Sequence, residues 1–236
     1  MAGLVRIPKP TLERLPVYYR LLLQCREAGM QYVSSGQLGQ RAGIDSAQVR
    51  KDLNHIWSDG RPGLGYEVDR LVTCLADSLG LHNTTDAVLV GAGRLGTALA
   101  GYPGFASYGL DIVAVFDSDP RKIGGILCGR PILSVEKLAD LIERLGTRMG
   151  IIAVPAEFAQ AVADTMVSAG VEAIWNFAPV SLQVPEGVLV RSEDLAAGLA
   201  TLSYYLKEQG LTAQDTAMGD SSVDRGETEP PVAKNI

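Results

Sequence analysis

Residues 88–96 read Val88-Leu89-Val90-Gly91-Ala92-Gly93-Arg94-Leu95-Gly96, an apolar run that enters a G-x-G-x-x-G turn. This pattern predicts a strand, a tight glycine turn and a helix, which together hold a dinucleotide pyrophosphate. Glycines let the backbone approach the phosphates, and free N–H groups at the start of the helix meet their negative charge. The residues expected at the pyrophosphate are Gly91, Ala92, Gly93, Arg94, Leu95 and Gly96.

An acidic residue at the end of the next predicted strand indicates which dinucleotide binds. Residues 112–116 form an apolar run that ends at Asp117, about 20 residues after the glycine turn. A carboxylate at this distance accepts hydrogen bonds from the adenosine ribose hydroxyls and repels a 2′-phosphate. The predicted cofactor is therefore NAD, as NAD+ or NADH, rather than NADP.

Strands and helices alternate around this motif. Apolar strand candidates lie at 87–90, 112–116, 150–154, 171–176 and 188–190, and helical patterns at 94–101, 134–145 and 156–169 separate the first four. The alternation predicts an α/β fold, with a doubly wound parallel sheet of the Rossmann type over residues 84–191.

The first 80 residues have a different organisation. Apolar residues at helical spacing predict a helix over 11–28, and two further short helices begin at cap signals, Ser34 with Gln37 and then Asp45, on either side of a glycine turn. The glycines at 60, 63 and 65, with Pro62, fit a tight β-hairpin, and a linking helix follows over 69–83. A helix-turn-helix followed by a hairpin predicts a winged helix over residues 1–80.

Charge is unevenly distributed along the chain. The net charge is −6, yet residues 1–61 carry nine Lys and Arg against five Asp and Glu. The remainder carries 12 basic against 22 acidic residues. A basic N-terminal segment followed by an acidic remainder indicates a nucleic-acid-binding domain joined to a domain with a different function.

The second helix of a helix-turn-helix enters the major groove of DNA with its first turns. Here we expect Ser46 and Gln48 to meet base edges or phosphates, Arg50 to read guanine, and Lys51 to meet a phosphate. Arg61, at the tip of the wing, is placed for a minor groove. An Arg-Lys pair on an exposed helix is also compatible with a merely solvated face.

Composition limits the class of protein further. The 236 residues are 47% hydrophobic and 20% charged, which is typical of one large or two modest folded domains. No apolar run approaches the roughly 18 residues of a membrane span, and the first residues lack a signal-peptide pattern, so the predicted location is the cytoplasm. Cys25, Cys74 and Cys128 are odd in number and far apart, which excludes a disulfide framework and lacks metal-ligand spacing. We expect buried, reduced thiols.

The last part of the chain contains an apolar stripe and then a polar tail. Residues 192–209 predict a helix whose apolar side chains need a surface to pack against: Leu195, Leu199, Leu202 and Leu206. Residues 212–236 contain few large apolar groups, and we expect them to be disordered.

Many separate motifs, in order over residues 4–209, resemble the Rex family of redox-sensing transcriptional repressors. Besides the glycine turn they are Arg14-Leu15-Pro16-Val17-Tyr18-Tyr19-Arg20, Gln48-Val49-Arg50-Lys51-Asp52-Leu53, Gly63-Leu64-Gly65-Tyr66, Tyr102-Pro103-Gly104-Phe105, Phe116-Asp117-Ser118-Asp119, Val154-Pro155-Ala156 and Asn176-Phe177-Ala178-Pro179. The resemblance implies a homodimer that binds palindromic operator DNA, with the helix at 192–209 exchanged between subunits. It further implies that NADH closes the dimer and releases the DNA, whereas NAD+ permits binding.

The resemblance also assigns residues. By position, Arg20, Tyr102 and Asp194 resemble the redox-responsive hydrogen-bonding set of the family. Further cofactor contacts are implied for Val154, Pro155, Asn176, Phe177, Tyr102 and Leu195, the last where the family often has Phe near the nicotinamide. Without the family pattern, Asp194 would be interpreted as a helix N-terminal charge.

Three alternatives stay open. Asn54-His55-Ile56-Trp57 and Pro62 depart from the family pattern, so a paralogue with altered or weak DNA binding fits. An NAD-dependent oxidoreductase would need a positioned acid or base, yet the two histidines, His55 and His82, lie outside the Rossmann region and a substrate domain is missing. A nucleotide-binding module that uses its first domain only for protein contacts would show little salt dependence on DNA.

Overall fold

A computed structural model describes residues 7–57, 60–61, 63–81 and 85–217. The chain divides into two compact units, with the division between residues 83 and 84. Pro62, His82 and the tail beyond residue 217 lie outside the described residues. Within the described part, no helix is long and apolar enough to cross a membrane.

The first unit is helical with a small sheet. Its elements are α1 (Lys9–Glu27), β1 (Tyr32–Val33), α2 (Ser35–Ala42), α3 (Ser46–Leu53), β2 (Tyr66–Glu67) and α4 (Val68–Leu79). Helix α1 packs against α4 and α2, and Leu15, Tyr18 and Leu22 of α1 are fully buried.

The predicted helix pair is confirmed, together with its cap signals. The Ser34 hydroxyl accepts from the Gln37 N–H at 3.1 Å, and the Gln37 side chain accepts from the Ser34 N–H at 2.9 Å, which forms a capping box. Asp45 caps α3 by accepting from the Ala47 N–H. Gly43 ends α2 at φ 69°, a left-handed conformation that favours glycine.

The wing differs in part from the predicted hairpin. Among the residues described there, the glycine turn closes through a bridge between Arg61 and Gly65, while β2 pairs antiparallel with β1, where Val33 lies opposite Tyr66. Gly65 has φ 94°, and its backbone lies so close to the Val33 carbonyl that a side chain would collide with it. The chain therefore leaves the turn toward β1. A two-residue strand is too short to show alternation, so β1 was not predicted.

The second unit is a seven-stranded sheet with helices. Its elements are β3 (Thr85–Val90), α5 (Arg94–Ala100), β4 (Leu110–Asp117), β5 (Ile126–Leu127), β6 (Arg130–Ser134), α6 (Leu138–Leu145), β7 (Met149–Ile152), α7 (Ala156–Ser168), β8 (Ala173–Asn176), β9 (Leu189–Ser192) and α8 (Ala197–Ala217). Two 3-10 turns cover Pro103–Tyr108 and Val135–Lys137. The strand order is β5-β6-β4-β3-β7-β8-β9, parallel except for the β5–β6 pair. The predicted doubly wound parallel sheet is confirmed, and the β5–β6 edge is an addition to it.

The sheet is buried on both faces. Alternate residues of β3 point to opposite sides: Val88 and Val90 belong to a core shared with α6 and α7, and Ala87 and Leu89 belong to the core on the other face. The chain order reverses at β3, which lies between β4 and β7. Ligands of such sheets bind at this switch point, beyond the carboxyl ends of the strands.

Three sequence-based expectations need correction. The helix predicted at 192–209 begins later, because β9 extends to Ser192, and it continues to Ala217, so residues 212–217 are helical rather than disordered. The three thiols were expected to be buried, but only Cys25 is buried, whereas Cys74 is half-buried and Cys128 is exposed. Cys128 lies between the short strands β5 and β6 at φ 48°, in an edge turn that the sequence pattern did not reveal.

Candidate dinucleotide and DNA sites

Each glycine of the turn after β3 has its own structural reason. Gly91 has φ 109°, its N–H donates to the Phe116 carbonyl at 2.8 Å, and its backbone is packed against the Ala153 carbonyl. A side chain at Gly96 would collide with the Gly91 carbonyl oxygen. Gly93, at the start of α5, faces open space. The first and third glycines thus fold the turn tightly, and the middle one leaves room for a phosphate.

Asp117 lies beside the glycine turn, at the end of β4. It is 8% exposed, and its carboxylate accepts from the Ala92 N–H at 2.8 Å, the Asp119 N–H at 2.8 Å and the Lys122 ammonium at 2.9 Å. Burial alone would raise the pKa of Asp117, but the hydrogen bonds from Lys122 and the two backbone N–H groups outweigh it and lower the pKa. The carboxylate is therefore a charged acceptor at neutral pH.

A cavity of 590 Å³ lies at the switch point of the sheet. Five of the predicted cofactor residues line it: Gly91, Gly93, Asp117, Val154 and Pro155. The lining that sequence analysis missed comes from the loop after β4, the turn before α6, and α7: Ser118, Lys122, Val135, Glu136, Phe158, Ala161, Val162 and Thr165. These residues follow other strands and give no local motif.

The other residues of the turn do not line the cavity. Ala92 contributes its N–H to Asp117, Gly96 is buried, and Arg94 is exposed on α5. Leu95 is half-buried. Their direct cofactor contact stays a prediction.

A row of aromatic rings lies along the face of the sheet opposite to α7. Tyr102 contacts Phe105 edge-on at 5.0 Å between ring centroids, Phe105 lies 5.5 Å from Trp175, and Trp175 lies 4.9 Å from Phe177. The structure thus connects two predicted cofactor residues, Tyr102 and Phe177, through two that were not predicted. Asn176 lies apart from them, fully buried, with its amide bonded to the Ala178 and Val180 carbonyls, the Ser192 hydroxyl and the Ala178 N–H.

The residues of the predicted redox-responsive set fall in both units. Arg20 is exposed on α1 of the first unit. Asp194 and Tyr102 belong to the second unit, where the Asp194 carboxylate accepts from the Ala196 and Ala197 N–H groups at the start of α8. Leu195 is 70% exposed. The grouping of Arg20, Tyr102, Asp194 and Leu195 stays a prediction.

Helix α3 and the wing form the candidate DNA face. Arg50 and Lys51 are exposed, and Arg50 donates to the Ser35 hydroxyl at 3.0 Å and the Ser46 hydroxyl at 3.4 Å. Arg61 lies over the Tyr32 ring at 6.0 Å and donates to its hydroxyl at 3.3 Å. A groove of 340 Å³ lies between the two arginines, lined by Ser34, Ser35, Arg50, Gly60, Arg61, Gly63, Gly65 and Tyr66. The fifth predicted contact, Gln48, is half-buried and turned toward another partner.

That partner is Asp52, a fully buried carboxylate that sequence analysis did not single out. Thr11, Arg14 and Tyr18 of α1 and Gln48 of α3 all donate to it: Thr11 at 3.0 Å, Arg14 twice at 2.6 Å, Tyr18 at 2.8 Å and Gln48 at 2.8 Å. Burial alone would raise the pKa of Asp52, but these hydrogen bonds, led by Arg14, lower it to about 2. We call these five residues the Asp52 cluster.

The fold and these sites define a class of proteins in which a winged helix-turn-helix unit precedes a Rossmann unit with a dinucleotide-type glycine turn. A curated relative from Chloroflexus aurantiacus, named redox-sensing transcriptional repressor Rex, is 44% identical over 202 residues, which are 86% of this chain and 95% of the relative. This chain belongs to the Rex family of redox-sensing transcriptional repressors, and the resemblance inferred from its motifs is confirmed.

Solved structures and family profiles agree with this assignment. The structure of RSP, a Rex-family repressor, in complex with NAD+ and operator DNA superposes with a TM-score of 0.81 at 35% identity, covering 90% of this chain and 98% of RSP. The structure of RSP with NADH gives 0.80 at 35% identity, covering 88% of this chain and 98% of RSP. Residues 6–54 match the family "Putative DNA-binding protein N-terminus", and residues 82–180 match "CoA binding domain".

Proposed function

We propose that this protein is a transcriptional repressor that senses the NADH/NAD+ ratio. As a homodimer it binds palindromic operator DNA when free or NAD+-bound, and it releases the DNA when NADH closes the dimer. The observation that carries the proposal is the presence, in one chain, of a cavity lined by the glycine turn and Asp117 and of a capped helix that presents Arg50 and Lys51 outward. RSP, solved with NAD+ and operator DNA and separately with NADH, supports this combination.

The cavity fits the adenosine half of NAD. Its volume of 590 Å³ is in the range of small-molecule sites. Val135, Val154 and Phe158 offer apolar contacts to the adenine ring, and the open space at Gly93 receives the pyrophosphate. Asp117 accepts from the ribose hydroxyls, and its charge disfavours a 2′-phosphate.

Discrimination between the two redox forms depends on the charge of the nicotinamide. The oxidised ring is positive and the reduced ring is neutral, so an apolar, sequestered pocket prefers NADH by the desolvation cost of the charge. Leu195 and the aromatic row that begins at Tyr102 supply apolar surface for such a pocket. A ligand shifts a two-state equilibrium only by its differential affinity for the two states.

The dimer is proposed from the exposed face of α8 and the turn before it. Four leucines of this segment are each more than half exposed: Leu195, Leu199, Leu202 and Leu206. An apolar stripe of this size marks an interaction surface. We assign it to the partner subunit through exchange of the helix, which would also carry Asp194 toward Arg20 and Tyr102 across the dimer.

The proposed role is regulatory rather than catalytic, in line with the curated relatives, which are named as repressors. A repressor acts where the chromosome lies, so we keep the cytoplasm as its proposed location. The departures at Asn54–Trp57 and at Pro62 make altered operator preference the second candidate, because in the sequence they adjoin α3 and Arg61.

The decisive experiment titrates operator release against the NADH fraction. A palindromic duplex is first selected from a randomised library by the NAD+-bound protein, and its binding is then followed by fluorescence anisotropy at constant total dinucleotide. We expect release to rise with the NADH fraction, whereas coenzyme A at the same concentration leaves the complex intact. Selection of no duplex would favour a module with protein partners, and a complex that survives saturating NADH would refute the switch.

A further inference from the structure

The Asp52 cluster joins the DNA-facing helix to a single other helix. Thr11, Arg14 and Tyr18 are spaced three and four residues apart, so they lie on one face of α1. From that face they reach the carboxylate of Asp52, 34 to 41 residues further along the chain, and Arg14 grips both of its oxygens through Nε and Nη2. A two-pronged bond of this kind fixes direction as well as distance.

The cluster is an expensive way to obtain stability alone. A buried ion pair often contributes no more than well-packed apolar residues of the same volume, because both charges must be desolvated. What it does supply is a single permitted geometry, since any rotation of α3 on α1 would break several bonds to a buried charge at once. The Gln48 amide also donates to the Asp52 carboxylate at 2.8 Å, and this hydrogen bond holds the Gln48 side chain against Asp52.

Helix α1 carries a second feature on its other side. Arg20 lies two residues after Tyr18, about 200° around the helix, and is exposed. The helix is continuous from Lys9 to Glu27. Pro16 lies inside this helix, and the Asp52 carboxylate binds α1 on both sides of it, through Arg14 and Tyr18. One helix thus presents the Asp52 grip on one side and Arg20 on the other.

We propose that Asp52 is the positioning residue of the DNA-facing helix, and that α1 and α3, locked by the Asp52 cluster, transmit the redox signal as one body. Displacement of α1 at Arg20 turns α3 by the same amount, because the cluster allows no independent rotation. Lys51 and Arg50 then leave the DNA together. This inference rests on the proposed function, since it concerns how the dinucleotide signal reaches the DNA face.

The test compares four full-length proteins: wild type, Asp52→Asn, Tyr18→Phe and the control Asp69→Asn. Asp69 is an exposed acid in the first turn of α4, so its change alters the net charge equally without touching the cluster. Tyr18→Phe removes one hydrogen-bond donor to Asp52 and keeps the ring. It therefore still tests the cluster if Asp52→Asn fails to fold. Each protein is measured well below its thermal midpoint for affinity to the selected duplex, to a random duplex and to NADH, and for the ratio of duplex affinity without and with NADH.

We expect Asp52→Asn to weaken binding to the selected duplex by about tenfold or more, the loss that accompanies one misaligned base contact. Binding to the random duplex changes less than about twofold, because phosphate contacts tolerate misorientation. NADH affinity is retained, but the ratio without and with NADH falls toward one. Tyr18→Phe gives a smaller change in the same direction, and Asp69→Asn behaves as wild type.

Two outcomes overturn the inference while the proposed function stands. In the first, both Asp52→Asn and Tyr18→Phe fold and keep wild-type duplex affinity and wild-type release by NADH, and only their thermal midpoints are lower. The other is an equal loss on selected and random duplexes. If instead wild type itself shows no release by NADH, the proposed function fails, independently of Asp52.

Discussion

Replacing Asp117 by Ala tests the cofactor assignment most directly, because the structure shows how many hydrogen bonds this carboxylate can still accept from a ligand. A carboxylate has about four acceptor positions. The Ala92 N–H, the Asp119 N–H and the Lys122 ammonium occupy at least three of them. A ribose therefore finds one position open and gains a second by displacing Lys122.

The expected loss follows from that count. A hydrogen bond to a charged group contributes about 1.5 kcal/mol or more, so losing one or two of them costs roughly 1.5–3 kcal/mol. The Kd for NADH should rise between about 10-fold and 150-fold. Lys122, freed from its carboxylate at the same cavity, should at the same time improve the binding of NADPH by attracting the 2′-phosphate.

The assay is fluorescence titration of NADH and NADPH into wild type, Asp117→Ala and a control, Asp111→Ala. Asp111 lies near the start of the same strand, is half exposed and pairs with Arg130, so its loss should leave both affinities unchanged. Binding of the ligand-free variants to the selected duplex should also be unaltered. An NADH affinity that changes less than threefold in Asp117→Ala would refute the placement of the ribose at this carboxylate.

Three further predictions follow from the same structure. Gly96→Ala should abolish NADH binding or fold poorly, because the added methyl group meets the Gly91 carbonyl, and a variant with normal NADH titration and thermal midpoint would contradict that packing. Lys51→Ala should weaken binding to the selected and the random duplex alike and reduce the salt slope of binding by about one. Arg50→Ala should weaken binding to the selected duplex more than binding to the random one. Identical behaviour of the two variants in salt titrations would contradict the assignment of Lys51 to a phosphate and of Arg50 to a base. The pKa of Asp52 is lowered to about 2 from an ordinary 3.8, so the ionised carboxylate stabilises the fold above pH 4, and this contribution of about 2 kcal/mol should be lost as the pH falls from 4 toward 2. Chemical denaturation over that range should therefore show a smaller loss of unfolding free energy in Asp52→Asn than in wild type. An equal loss in both proteins would count against the assignment.

What could be predicted from the sequence is mostly local. The glycine turn, its strand and Asp117 are specified by short-range pattern, because the turn and the carboxylate belong to one βαβ unit and Gly96 packs on the Gly91 carbonyl of the same turn. The caps at Ser34 and Asp45 are equally local, since their partners lie two or three residues away.

The rest depends on distant contacts or on elements too short to show a period. Three donors of the Asp52 cluster lie 34 to 41 positions before Asp52, so no local pattern pointed to this carboxylate, and Gln48 was expected at the DNA instead. Lys122 and Phe158 reach the cavity from loops and helices that follow different strands. The two-residue strand β5 offers no alternation to detect.

The leucines of the α8 segment have a consequence for abundance. A lone subunit exposes this apolar surface to water, and pairing with a second subunit covers it. Because pairing depends on concentration, the melting temperature should rise as the protein is concentrated. The number of copies in a cell then sets how long each copy survives. Scarcity itself would weaken repression, even where the balance of reduced and oxidised dinucleotide stays constant.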